Sequence, residues 1–292
     1  MLEYDKFIDE LREKVQDVVG TEGKVVFTTI SKNNGTVKEG LSIETKMANK
    51  VPVIGIRDIY ERYRTGSSME ECVAYCRKAM DQRANINISE LWGTWKEQKK
   101  QIKPCLVNGE WNQERLKEIP HFSYGDLAVK FRVEYKISNE LKAGYDVTYD
   151  MLRHWGISKN QLVETVMQNL RQEKYTIRDL QEVLGEQFGL PMEEERKGAF
   201  YLLTNDDQIY GAAGMLRTDL LEHFAEERGC DFYILPSSVH ELLLIVDSGE
   251  ITKEELEEMV RSVNRMCVAK EERLSDRVYY FKRGSGKAEL AA

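Results

Sequence analysis

Between Asp231 and Asp247 the chain reads DFYILPSSVHELLLIVD, two apolar runs flanking the polar insert Pro236-Ser237-Ser238-Val239-His240-Glu241. Short apolar runs bounded by turn residues predict buried strands, here over 232–235 and 242–246, joined at a fixed connection. Around them the pattern predicts a hairpin of 199–204 and 209–215 about Asn205-Asp206-Asp207, helices over 219–228 and 252–265, and a last strand over 277–281. The order β-β-α-β-β-α-β implies an antiparallel sheet with helices on one side.

The earlier part of the chain reads as mixed helix and strand. An amphipathic helix over 4–19 places Phe7, Ile8, Leu11, Val15, Val18 and Val19 on one face, and Gly20 and Gly23 end it. A β-branched run over 24–31, the turn Asn33-Asn34-Gly35 and an extended stretch over 36–45 predict a hairpin, followed by a short extended piece over 51–55. Helices are expected over 57–64 and 67–83, the second capped by Ser67 or Ser68 with Glu70 and Glu71 in its first turn. The segment 91–103 carries two tryptophans and four lysines and reads as a half-buried helix rather than a base-stacking surface. A short helix over 112–116, strands over 126–138 and 144–147, and helices over 148–154, 158–171 and 176–188 follow. Composition changes at Gly189-Leu190-Pro191 and Glu193-Glu194-Glu195. The expectation is therefore an α+β protein with a region 1–188, a unit 197–282 and a loose tail 283–292.

At 292 residues, 41% hydrophobic and 32% charged, the chain has enough apolar content to fold and is polar enough to dissolve. Its 50 acidic and 42 basic residues leave a net charge of -8, which disfavours nucleic acid and anionic lipid as partners. The first residues, MLEYDKFIDELREKVQ, carry acids and no apolar signal core, and no run is long enough to span a bilayer, so a cytoplasmic protein with no membrane contact is expected. Five scattered cysteines fit free thiols in a reducing compartment. Cys72 and Cys76 share a helix face and read as buried structural thiols.

Chemistry-bearing residues concentrate in the insert. Ser237 or Ser238 with His240, Glu241 and a remote carboxylate such as Glu110, Asp206 or Asp276 would furnish a nucleophile, a base and its orienter, the parts of a hydrolase or transferase. Neighbours on a strand point to opposite faces, however, and the serines lack the Gly-x-Ser-x-Gly elbow. In the competing reading Pro236 fixes the turn, the serines bond its backbone, and His240 donates to a strand-end carbonyl. The four histidines, His121, His154, His223 and His240, are isolated, so neither a metal nor a cofactor is expected. Gly211-Ala212-Ala213-Gly214 lacks the ending of a phosphate loop and reads as close packing. Asn205-Asp206-Asp207 reads as a turn, not a calcium loop. Glu254, Glu255, Glu257 and Glu258 read as a solvated helix start, with docking of a basic partner as the alternative.

Four ordered blocks carry a resemblance. They are Val107-Asn108-x-Glu110 with 112–116 and Pro120-His121; Leu152-x-x-Trp155-Gly156 with Leu162; Leu203-Thr204-Asn205 with Gly211-Ala212-Ala213; and 232–241 with Val263-Asn264 and Leu274-Ser275-Asp276-x-Val278-Tyr279-Tyr280. Over most of its length the chain resembles the domain-of-unknown-function family 5688 of gut-associated Firmicutes, departing from it at Met266 and Cys267. The resemblance implies a soluble bacterial protein, often encoded near mobile elements, with no established activity. Asn108, His121 and Asn205 from these blocks join Ser237, Ser238, His240 and Glu241 as a candidate surface for a protein or small-molecule partner. The leading expectation is a non-enzymatic interaction or regulatory protein.

Overall fold

A computed structural model of the chain describes residues 2–21, 23–45, 53–84, 92–136, 142–189 and 198–292. It is an α+β protein that divides into two compact units, Met1–Thr94 and Trp95–Ala292.

In the first unit α1 (Tyr4–Val19) is followed by the hairpin of β1 (Gly23–Ser31) and β2 (Val37–Thr45), with β3 (Ile54–Gly55) added to β2. The hairpin closes at Ser31 opposite Val37, and Asn34 takes the left-handed conformation such a turn requires. Two helices complete the unit, α2 (Ile56–Arg64) and α3 (Met69–Ala84). Phe7, Leu11, Val15 and Val19 of α1 cluster with Ile56, Ile59, Cys72 and Cys76, so the i, i+4 spacing of both the apolar residues and the thiols serves one core. Ser68 Oγ accepts from the Glu71 N–H at 3.2 Å while the Glu71 carboxylate accepts from the Ser68 N–H at 2.7 Å, a capping box at the start of α3.

The second unit holds two antiparallel sheets. Short helix α4 (Trp95–Gln98) leads to β4 (Ile102–Asn108), α5 (Gln113–Leu116), β5 (His121–Tyr124), β6 (Leu127–Lys136) and β7 (Lys142–Asp146). Strand β6 is central, with β4 along one edge and β5 and β7 in succession along the other. Two capped helices, α6 (Tyr149–Trp155) and α7 (Lys159–Gln172), precede β8 (Tyr175–Asp179) and α8 (Leu180–Phe188). The remaining elements are β9 (Phe200–Asn205), α9 (Thr218–Arg228), β10 (Phe232–Leu235), β11 (Leu242–Val246), α10 (Lys253–Met266), β12 (Tyr279–Phe281) and β13 (Ala288–Leu290). They build a six-stranded sheet in the order β13-β12-β10-β11-β9-β8.

Several sequence expectations change. The segment 92–103 is one helical turn running into β4, where Trp95 packs on Trp155 with centroids 5.6 Å apart. The helix expected over 176–188 begins at Leu180, because Tyr175-Thr176-Ile177 extends the sheet beside β9 and the Asp179 carboxylate caps Gln181 N–H at 2.8 Å. Residues 209–215 form no strand: β11 and β8 already occupy both edges of β9, and the chain instead folds into a 3-10 segment, Gly211–Leu216, buried at every residue. The tail is not loose at 288–290, where β13 pairs with β12 and buries Ala288. The division between 188 and 197 falls inside one sheet, since β8 and β9 pair across it; Pro191 and the Glu193–Glu195 run lie outside the described residues.

Polar groups tie the two sheets together. Tyr279 Oη donates to Asp126 Oδ1 at 2.6 Å, Ser275 Oγ donates to Asp126 Oδ2 at 2.6 Å, and Asn108 Nδ2 donates to the Leu274 carbonyl at 3.1 Å. Tyr279 and Ser275 are fully buried, so these bonds satisfy groups that water does not reach. Among the described residues no helix is long and apolar enough to cross a membrane.

Candidate functional site

The insert between β10 and β11 is clamped by backbone on two sides. Pro236 and Ser237 carbonyls accept from the N–H groups of Ser275 and Leu274, Val239 N–H donates to Glu272, and the Val239 carbonyl accepts from Ala212 N–H. Ser238 is 4% exposed, and its Oγ accepts from the His240 N–H at 3.0 Å. The His240 carbonyl accepts from Thr204 Oγ1 at 2.9 Å. Its imidazole Nδ1 accepts from the Tyr210 N–H at 3.3 Å, which places the ring proton of the neutral form on Nε2. The expectation that His240 donates to a backbone carbonyl is thus reversed, because Tyr210 turns its N–H toward the ring.

That turn of the chain is strained. Gln208 and Tyr210 have φ of 52° and 53°, the left-handed region that side chains other than glycine and asparagine rarely occupy. Three tethers hold it. Asn205 Oδ1 accepts from Ile209 N–H at 3.2 Å and its Nδ2 donates to the Ile209 carbonyl at 3.0 Å. Asp207 lies 3.6 Å from Lys103 Nζ, which also meets Glu173 at 2.6 Å and Glu134 at 3.5 Å. Burial works against the Lys103 ammonium, but Glu173, Glu134 and Asp207 outweigh it and hold its pKa above the ordinary lysine value. The Tyr210 ring lies 5.8 Å from His240 with the Arg132 guanidinium 5.5 Å from its centroid, and burial pushes its phenol up to about 12. Gly211 follows, at a point where a Cβ would overlap the His240 carbonyl and Thr204 Oγ1; the small residues here serve close approach.

Loop and insert enclose an open depression of about 350 Å³ lined by Gln208, Ser238, His240, Glu241, Cys267, Val268 and Glu272. Ile209 is 37% exposed beside Gln208, and Met266, next to Cys267, is 76% exposed. Among the described residues Glu272 is the one whose carboxylate comes within 4 Å of the imidazole, with Oε1 3.7 Å from Nε2 and beyond hydrogen-bond length.

The candidates from the four blocks fit less directly. Asn205 closes the loop from beneath. Asn108 supports the clamp from behind, bonding the Leu274 carbonyl and accepting from Trp111 N–H at 2.9 Å. His121 sits on β5 with Nδ1 3.0 Å from the Ile119 carbonyl and does not line the depression. Asp206 lies 3.2 Å from Lys174 Nζ and Asp276 accepts from Asn264 Nδ2 at 2.6 Å; neither they nor Glu110 bonds His240. Among the described residues no hydrogen bond joins His240 to Ser237 or to a carboxylate: the Ser238 oxygen accepts from the His240 backbone N–H, and the imidazole Nδ1 accepts from Tyr210 N–H. Along α10, Glu255 is used in a capping box with Thr252, and Glu257 and Glu258 pair with Arg261.

The model of the family of unknown function DUF5688 matches residues 4–283, nearly the whole chain. The chain belongs to DUF5688. No curated protein and no solved structure matches it. Within this DUF5688 site, sequence reasoning missed Gln208, Tyr210, Cys267 and Glu272. The departure at Met266 and Cys267 was a signal for one of them. Left-handed glutamine and tyrosine leave no such mark, since turn patterns are read from glycine and asparagine.

Proposed function

We propose that this DUF5688 protein is a non-enzymatic interaction protein that binds a protein partner at the depression between the 205–210 loop and the 236–241 insert. One observation carries the reading: two non-glycine residues with positive φ at the rim, held there by Asn205, Asp207 and His240, with Ile209 standing outward between them. Backbone strain at this level persists only where the surroundings impose it, and it concentrates at recognition and active sites. Two glutamates in the depression and the net charge of -8 favour a protein over a nucleic acid. Five free thiols support a cytoplasmic setting.

The test is quantitative affinity purification of the wild-type chain, Ile209→Asp, and Val37→Asp as a control at a residue 60% exposed in the first unit. A partner retained by wild type and Val37→Asp and lost with Ile209→Asp is the expected result. If every retained protein survives Ile209→Asp, the reading fails.

A further inference from the structure

The depression contains donors and acceptors that do not satisfy one another. His240 Nε2–H is a fixed donor because Tyr210 N–H occupies Nδ1. Glu272 Oε1, 3.7 Å away, is an acceptor just out of its reach, and among the described residues no lysine or arginine pairs with it. Ser238, nine-tenths buried and lining the same depression, uses its oxygen to accept from His240 N–H, which leaves its hydroxyl hydrogen with no acceptor among the described residues. Glu241 adds a second carboxylate without a lysine or arginine partner among the described residues.

The spacing and signs select a ligand. An ammonium or guanidinium offers donors only, and would leave the His240 and Ser238 hydrogens facing hydrogens. A carboxylate offers acceptors only and meets Glu241 and Glu272. A carboxamide carries one of each, with its oxygen and nitrogen about 2.3 Å apart by standard bond lengths, close enough to serve two groups 3.7 Å apart through slightly splayed bonds. Resting on the binding reading above, we infer that the depression recognises a primary carboxamide of the partner, the side chain of an asparagine or glutamine. Its oxygen accepts from His240 Nε2–H, with the Ser238 hydroxyl hydrogen available to the second lone pair, and its nitrogen donates to Glu272.

Propionamide, propionate and propylammonium, titrated separately into the isotope-labelled full chain, test this by NMR through the His240 ring signals and the Tyr210 and Glu272 amides. Propionamide is expected to give saturable shifts and the other two none. Glu272→Ala, at a side chain 47% exposed and so tolerant of truncation, should weaken propionamide about tenfold, the value of one charge-assisted hydrogen bond. Saturable binding of propylammonium instead, no saturable shift with any probe, or propionamide binding that Glu272→Ala leaves unchanged would overturn the inference. In the affinity purification a partner lost with Ile209→Asp but kept at full yield by Glu272→Ala sinks the carboxamide alone; one kept by Ile209→Asp sinks the binding reading.

Discussion

Replacing Gln208 by glycine should make the protein more stable. Gln208 has φ of 52°, where the Cβ of an L-residue crowds its own backbone at a cost of about 1–2 kcal/mol. Glycine removes that cost but loses about 0.5–1 kcal/mol through the greater freedom of its unfolded chain. The side chain is exposed and the Gln208 N–H bond to the Asn205 carbonyl, 3.0 Å, is retained, so little else changes. The net gain is about 0.5–1 kcal/mol, or roughly 1–4 °C in Tm for a unit of this size. Gln208→Ala keeps the Cβ and serves as the reference. Urea denaturation and calorimetry of the two variants provide the measurement. A glycine variant no more stable than the alanine variant would show that the loop carries no strain and remove the main support for the proposed site.

Three further outcomes follow from the geometry. His240→Ala leaves the Tyr210 N–H without its acceptor and should cost about 1 kcal/mol in urea melts, whereas His240→Asn, whose Oδ1 stands near the place of Nδ1, should recover part of it; identical midpoints for wild type and both variants would show that the imidazole orients nothing. Tyr279→Phe removes a buried 2.6 Å bond to Asp126 and should cost about 2 kcal/mol, and an unchanged urea midpoint would count against that tie. Burial pushes the Asp146 carboxyl up, but Lys130, Arg132 and Arg115 outweigh it and hold its pKa below the ordinary value. The stability this contributes is complete above about pH 4, the unfolded value, and fades as pH falls through the lower folded pKa. Thermal melts of Asp146→Asn between pH 7 and pH 2 should show lower stability at neutral pH and a flatter acid limb than wild type. An acid limb of wild-type steepness would refute the assignment.

What could be read from the chain was local and periodic. The spacing of Phe7, Leu11, Val15 and Val19 in α1, the Asn33-Asn34-Gly35 hairpin, the Ser68 cap and the paired strands β10 and β11 all have short-range causes, and they stand where the residues predict, although Val18, expected on the same face of α1, is 46% exposed. The misreadings share a long-range cause. Residues 209–215 have the composition of a strand, but the edge they would join is filled by β11, more than thirty positions later. Tyr175–Asp179 becomes a strand because β9 lies beside it, and 288–290 because β12 does. The site divides the same way. The Ser/His/Glu insert is visible as a polar interruption between apolar runs, whereas Glu272 and Cys267 reach it only through the return of the chain after α10.

The bonds joining the two sheets of the second unit link positions 149, 153 and 166 residues apart. During synthesis β4 to β7 leave the ribosome long before Ser275, Tyr279 and Leu274 exist to meet Asp126 and Asn108. Until then the four-stranded sheet waits with the Asp126 carboxylate lacking its two hydroxyl donors and the Asn108 amide lacking the carbonyl it will be buried against. Such wide closures slow the final assembly and prolong the interval in which a nascent chain can stick to its neighbours. A truncation that removes the last twenty residues should therefore weaken the early sheet as well as the late one, seen as faster amide exchange in β4 and β6, although no strand of that early sheet has been cut.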